Sequence, residues 1–322
     1  MVRVTKTPDV SQVEQTAEKL ISNIGKVIVG KRETIKLVLV ALLSEGHLFI
    51  EDVPGIGKTM LAKATASSLG CSFKRIQFTP DLLPSDVTGI YYFNQKTSEF
   101  EFRPGPIMTN IVLADEINRA TPRTQSCLLE CMQEHQVTVD VTTIPLSRPF
   151  LVIATQNPVE LEGTFPLPEA QLDRFLLKVS LGYPSEDEEG AILRRFQQEN
   201  PLDNLKPVVE TSELLGLQRL CRQVHVEESV LNYIVTITQA TRNHQSIKLG
   251  ASPRASLSLY LACQSLAAIQ GRNYVIPDDV KCLTIPVLVH RLVTKVETKL
   301  RGQSAEGILE EILSTTPVPV EE

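Results

Sequence analysis

Three short stretches of this chain carry residue types suited to phosphate chemistry. In the first, the apolar run Leu48-Phe49-Ile50 ends in Glu51-Asp52-Val53-Pro54-Gly55-Ile56-Gly57, which delivers Lys58-Thr59 to the helix-forming Met60-Leu61-Ala62-Lys63-Ala64-Thr65-Ala66. That pattern reads as a strand, a phosphate loop and a helix. Unpaired N–H groups and the dipole at a helix N-terminus attract an anion, and glycines let the backbone close on it. Lys58 is then placed for the β- and γ-phosphates of a nucleotide, and Thr59 for Mg²⁺. One letter departs from the pattern: a glycine is expected six residues before the lysine, where Asp52 stands.

The second stretch, Asn110-Ile111-Val112-Leu113-Ala114-Asp115-Glu116, is a buried strand ending in two carboxylates. Open parallel sheets place their ligands at such strand ends. Asp115 is suited to hold the water shell of Mg²⁺, and Glu116 to orient and deprotonate an attacking water. Alone, the pair reads better as a solvated strand end before a cap; beside Gly57-Lys58-Thr59 the chemical reading is favoured. The third, Phe150-Leu151-Val152-Ile153-Ala154-Thr155-Gln156-Asn157, ends on an amide. Asn157 can donate to a γ-phosphate oxygen or hold a lytic water, and before Pro158 it can also be a plain turn residue.

Three arginines are candidates for phosphate. Arg174 follows Leu167-Pro168-Glu169-Ala170-Gln171-Leu172-Asp173 and precedes a buried run; it either pairs with Asp173 or Glu169 or reaches a phosphate on a neighbouring subunit. Arg254 follows Ser252-Pro253, a capping serine and first-turn proline, so its charge opposes the helix dipole unless an anion is near. This predicts that Arg254 reaches the nucleotide from a second domain that closes as a lid. Arg123 follows Thr121-Pro122 in the same way.

The elements that must position these residues alternate β and α up to residue 182. Helices are predicted over 9–25 and 32–44, strands at 48–51, 71–78, 110–114, 150–156 and 176–179, and a helix from Pro122 to Glu134. Two exposed hairpins, 89–103 and 137–148, interrupt this rhythm. Tyr183-Pro184-Ser185, with Ser185 and Glu188 forming a capping box, marks a boundary. Beyond it strand signals vanish, and helices near 186–199, 211–223, 227–243, 253–270 and 277–290 make a second domain, 183–300, followed by a helix and frayed tail over 301–322.

The chain's 322 residues, 42% of them apolar, suffice for two cores. A net charge of −6 removes the diffuse basic field of a general nucleic-acid binder, so DNA is not the expected partner. Six cysteines show no CxxC pair or Cys/His ligand cluster, and free thiols in a reducing compartment are expected; Cys127 and Cys131 read as one buried face. No apolar run is long enough to span a bilayer, and the expected location is cytoplasmic.

Taken together, Gly46-His47-Leu48 through Lys58-Thr59, Asp115-Glu116-Ile117-Asn118-Arg119-Ala120, Ala154-Thr155-Gln156-Asn157-Pro158, Leu167 through Phe175 and Ser252-Pro253-Arg254-Ala255 resemble the AAA+ ATPases, and within them the MoxR family. The likeness covers roughly residues 10–300 and is most specific over Leu167–Phe175. It implies an α/β fold: an AAA+ P-loop core, with a parallel five-stranded sheet between helices and hairpin insertions, followed by an α-helical lid. Lys58 and Thr59 then belong to Walker A, Asp115 and Glu116 to Walker B, with Asn157 as sensor 1, Arg254 as sensor 2 and Arg174 as the arginine finger. Val29 and Gly30 match the adenine-side segment, and Pro54 through Met60 surround the phosphates. Asp52 matches the family's Glu-Asp variant of the loop. Leu161 and Phe165 stand where glutamine and tyrosine are commoner.

A finger acting in trans implies a homo-oligomeric ring, a hexamer in this family. The resemblance further implies ATP and Mg²⁺ as ligands, chaperone-like remodelling and a partner carrying a von Willebrand factor A domain. Alternatives are a chelatase-like motor subunit and a nucleotide-gated scaffold with incidental turnover. The set Glu116, Asn157, Arg174 and Arg254 argues against the scaffold. A GTPase lacks its Asn-Lys-x-Asp motif.

Overall fold

Helix formation begins as periodicity predicts. In α1 (Ser11–Gly25), Val13, Ala17, Leu20, Ile21 and Ile24 recur at three- and four-residue intervals and are buried, whereas α2 (Arg32–Leu43) is buried along its whole second half. We describe a computed structural model covering residues 9–159, 163–197, 199–300 and 302–319; Leu161 and the last residues of the tail lie outside the described residues.

After α2 the chain runs through β1 (Leu48–Glu51), α3 (Lys58–Ser68), β2 (Phe73–Gln77) and the short α4 (Pro84–Thr88). A first hairpin, β3 (Gly89–Asn94) and β4 (Glu99–Pro104), precedes β5 (Ile111–Asp115) and α5 (Pro122–Glu134). A second, β6 (Gln136–Val139) and β7 (Thr142–Pro145), precedes β8 (Leu151–Gln156), the short α6 (Glu169–Leu172) and β9 (Leu177–Val179). The central sheet is parallel, in the order β2-β5-β8-β1-β9. All of β5 and nearly all of β8 is buried, as expected where helices cover both faces.

Register decides what this sheet can do. Gln77 pairs with Asp115, Ala114 with Ala154, and Glu51 with Gln156, so the C-terminal ends of four strands come level. Alternation sends Leu48 and Ile50 to one face and Phe49 to the other. The first of these faces forms a single apolar core with α1, α2, α3 and the helices that follow the sheet.

Those helices are α8 (Thr211–Cys221), α9 (Glu228–Asn243), α10 (Pro253–Ile269) and α11 (Pro277–Leu288); α7 (Glu186–Phe196), which starts from the Ser185–Glu188 capping box, precedes them and buries none of its side chains. One expectation is corrected here. A two-stranded antiparallel ribbon lies within this helical region: β10 (Ile247–Leu249) pairs with β11 (Val293–Thr294), strands too short to show alternation in the sequence and joined only across α10 and α11. The chain closes with α12 (Val296–Leu300) and α13 (Ala305–Thr315), whose Ile308, Leu309 and Ile312 are buried against the helical domain.

A buried cation bolts the helical domain to the sheet. Arg291, only 4% exposed, donates from Nε to Asp173 Oδ1 (2.8 Å), from Nη1 to Leu176 O (3.1 Å) and Val287 O, and from Nη2 to Phe175 O (2.6 Å). Burial pulls its pKa down to about 10, against the raising effect of Asp173. Ser252 Oγ donates to the other oxygen of Asp173 (2.9 Å), which pins the start of α10 to the same point.

The same end of the sheet depends on a neutral histidine. Val152 N–H donates to His47 Nδ1 (3.1 Å), so Nε2 carries the proton given to Met132 O (3.0 Å). Burial pushes the His47 pKa from 6.5 down to about 4. Between those values the unfolded chain takes up a proton that the folded one refuses, so stability is lost as pH falls from 6.5 towards about 4. His47→Gln, which cannot take up that proton, is expected to be less stable at neutral pH but to show a shallower fall of its urea midpoint over that window. An equally steep fall would assign the acid sensitivity elsewhere.

Candidate active site

The phosphate loop follows from where β1 stops. Asp52 N donates the last ladder bond to Gln156 O (3.1 Å), and the backbone then turns at Gly55 (φ 84°) and Gly57 (φ 97°). Both conformations are left-handed, cheap only for glycine. A Cβ placed on either glycine meets no atom within 4 Å among the described residues, so the loop is an open cradle. Gly57 caps α3 without a side-chain hydrogen bond, which leaves its first N–H groups turned towards that cradle. Ile56 and Met60 pack their side chains on the core and can offer only backbone to a ligand.

Lys58 Nζ donates to Asp52 O across the loop (2.7 Å). Burial lowers its pKa, while Asp115, Asp52 and Glu116, in that order, pull it back up. The carboxylates of Asp115, at the end of β5, and of Glu116, just past it, therefore lie within electrostatic reach of the loop lysine.

Asp52, the letter that departs from the pattern, has a structural task that glycine cannot perform. Its Oδ2 accepts from Ser180 Oγ (2.8 Å), Leu181 N (2.7 Å) and Gly182 N (3.0 Å), all between β9 and the helical domain. The loop is thereby clasped to the linker. On the other side of that linker, Gly30 (φ 73°) lies against Glu188, and Lys31 Nζ donates to Tyr183 O (3.1 Å). Gly30 and Lys31 thus border the linker and the start of α7.

Asp115 and Glu116 are held by residues the sequence reading did not single out. Thr155 Oγ1 donates to Asp115 Oδ1 (2.5 Å) and accepts from Glu116 N (2.9 Å). Arg75 donates from Nε (2.9 Å) and Nη2 (2.5 Å) to Asp115 Oδ2, and also contacts Gln77 Oε1 (2.5 Å). Gln77 Nε2 in turn donates to Glu116 Oε2 (2.9 Å), and Arg119 Nη1 stands 3.3 Å from the same oxygen. Glu116 has φ 56° and ψ 49°, a left-handed conformation costing about 1–2 kcal/mol in a non-glycine residue, which turns its side chain away from the line of β5. The available signal was polar residues near strand ends: Arg75 and Gln77 two apart on β2, and a wholly buried Thr155 in an apolar run.

Asn157 lies just past the end of β8, 4% exposed, with its Oδ1 accepting from Val159 N (3.1 Å). The turn role and the chemical role are compatible, because Nδ2 is the donor that a phosphate or water needs.

The two arginines lie elsewhere. Leu176 N donates to His47 O (2.9 Å), at the N-terminal end of β1, and β9 runs parallel to β1. Arg174 is therefore at the opposite end of the sheet from Lys58, separated by at least the four residues of β1 at about 3.3 Å each. Its Nη1 donates to Leu129 O (2.9 Å) and not to Asp173 or Glu169. Arg254 stands beside it: burial lowers the Arg174 pKa, and repulsion from Arg254 lowers it further. The Ser252–Asp173 and Arg291–Asp173 contacts hold the start of α10, and Arg254 with it, at this end of the sheet, away from the chain's own phosphate loop. Arg123 is exposed on the first turn of α5, lining an open cavity with Leu83, Tyr91 and Asp140. Phe165 is tied by its backbone to Asn118 O (2.6 Å) and Gln125 Nε2 (2.8 Å).

Open glycines, uncapped N–H groups and a lysine suit a polyphosphate, and the oxygen donors Thr59 and Asp115 suit Mg²⁺. Fold and site together define a P-loop ATPase core with a helical lid. Residues 47–177 match the ATPase family associated with various cellular activities (AAA), and residues 239–312 match the AAA lid domain. The chain is 54% identical over 303 residues to the uncharacterized protein YeaC of Bacillus subtilis, covering 94% of this chain and 95% of that one. Against the chaperone MoxR1 of Mycobacterium tuberculosis it is 42% identical over 313 residues, covering 94% and 82%. A crystal structure of a protein described as an ATPase, from Cytophaga hutchinsonii, superposes with a TM-score of 0.91 at 38% identity, covering 97% of each chain. The chain belongs to the MoxR family of AAA+ ATPases.

The clasp predicts that Asp52→Gly, which restores the generic loop pattern, weakens the protein. Three donors lose their acceptor, and the expected cost is about 3 kcal/mol in chemical denaturation together with weaker binding of an ATP analogue. An unchanged denaturation midpoint would remove the clasp.

Proposed function

We propose that this chain binds ATP with Mg²⁺ at the loop after β1 and hydrolyses it within a homo-oligomeric ring, a hexamer. The observation that carries this reading is the level register that sets the Lys58 loop, Asp115, Glu116 and Asn157 side by side at the ends of β1, β5 and β8. The loop N–H groups bind the phosphates, and Lys58 exchanges Asp52 O for a phosphate oxygen. Thr59 and Asp115 hold the metal. Mg²⁺, when bound, neutralises charge on the phosphates and orients them. Glu116 accepts the proton of the attacking water, and Asn157 Nδ2 fixes either that water or a γ-phosphate oxygen.

Arg174 and Arg254 stand together at the other end of the sheet, which supports their acting on a neighbouring subunit's nucleotide. Turnover then drives chaperone-like remodelling or maturation of a partner protein in the cytoplasm, with a von Willebrand factor A domain protein as the partner. The chaperone name of the Mycobacterium tuberculosis relative supports the remodelling role.

Glu116→Gln is expected to retain ATP binding and lose hydrolysis about 100-fold or more. Arg174→Ala should bind ATP normally and lose about 10³- to 10⁵-fold in turnover. Mixing Lys58→Ala chains with Arg174→Ala chains, each inactive alone, should restore part of the turnover, because mixed interfaces pair an intact loop with an intact arginine. Mixtures as inactive as their components would overturn the trans assignment.

A further inference from the structure

Asp115 sits in the electrostatic field of a guanidinium that the general chemistry of ATP hydrolysis does not require. Both Arg75 donors converge on one oxygen, Oδ2, while Thr155 occupies Oδ1, so no carboxylate oxygen of Asp115 is left without a donor. Asp115 is 8% exposed, whereas the Arg75 side chain is 47% exposed. Arg75 also lies on β2, the strand at the edge of the sheet. The carboxylate is thus fixed in place, and the cation has room to swing out.

Asp115 has one negative charge to offer and two candidate cations to receive it. A guanidinium at 2.5 Å already neutralises it, and a divalent ion arriving nearby meets the repulsion of Arg75. The same guanidinium steadies Gln77 Oε1, and Gln77 steadies Glu116, so displacing Arg75 also loosens a contact to the second carboxylate. We infer that Arg75 is a tethered countercharge that competes with Mg²⁺ for Asp115 and sets the Mg²⁺ concentration at which the site takes up metal-bound nucleotide. This rests on the assignment of Asp115 to Mg²⁺ made above. Arg75 is a positioning residue in this scheme: it acts through Asp115 and not on the reacting atoms.

The test is a Mg²⁺ titration of the binding of a fluorescent, non-hydrolysable ATP analogue, using the full chain. Arg75→Gln is expected to lower the Mg²⁺ concentration for half-maximal tightening about tenfold, by removing the repelling charge. Arg75→Lys keeps the charge, though not the fork, and should stay within about threefold of the parent. An unchanged or raised Mg²⁺ requirement in Arg75→Gln overturns the inference, as does an equal drop in Arg75→Lys. Should the parent chain bind the analogue with no dependence on Mg²⁺, the metal assignment itself fails and the inference falls with it. A metal-dependent parent with an indifferent Arg75→Gln refutes the inference alone.

Discussion

The placement of the helical domain depends on one guanidinium removed from water. An arginine as buried as Arg291 is tolerated only where carboxylate and carbonyl oxygens surround it, and Asp173, Phe175, Leu176 and Val287 supply them. Because three of these acceptors belong to the segment entering β9, the lid is fixed to the N-terminal end of that strand. The start of α10 is drawn to the same place through Ser252, and Arg254 goes with it. The shared apolar core reinforces this arrangement, since α10 and α11 pack into the same cluster as α1, α2 and one face of the sheet.

At the other end of the sheet a second carboxylate performs a comparable service. Asp52 binds the phosphate loop to the first residues of the linker, so the backbone that would hold phosphate and the backbone that leads to the lid are joined by three hydrogen bonds. Between these two fixed points the linker has little freedom of its own. A change in the loop is therefore felt at Ser180 through Gly182, and the linker also borders Gly30.

Much of this was legible in the residues. Short aliphatic runs ending in Lys58-Thr59, Asp115-Glu116 and Asn157 announced a parallel sheet with its chemistry at one end, because burial on both faces forces uninterrupted apolar strands. Capping signals at Ser185 and Ser252 marked true helix starts. What escaped were features set by pairing between distant segments. Arg75, Gln77 and Thr155 acquire meaning only when β2 and β8 are laid beside β5, and the β10–β11 ribbon only when Ile247 meets Thr294. Arg254 shows a different limit: its oddity at a helix start is plain in local sequence, whereas its position relative to the sheet is set by the distant contacts of Ser252 and Arg291 with Asp173.

The separation of Lys58 from Arg174 and Arg254 has a consequence for how such an enzyme is regulated. Under the proposed assembly, a single chain is half of one catalytic centre and half of another. Nucleotide can load onto a dispersed chain, but consumption begins only when chains meet. The ATPase is then silenced by dilution and switched on by whatever gathers its copies together, and one faulty copy in a ring impairs the sites on both of its flanks.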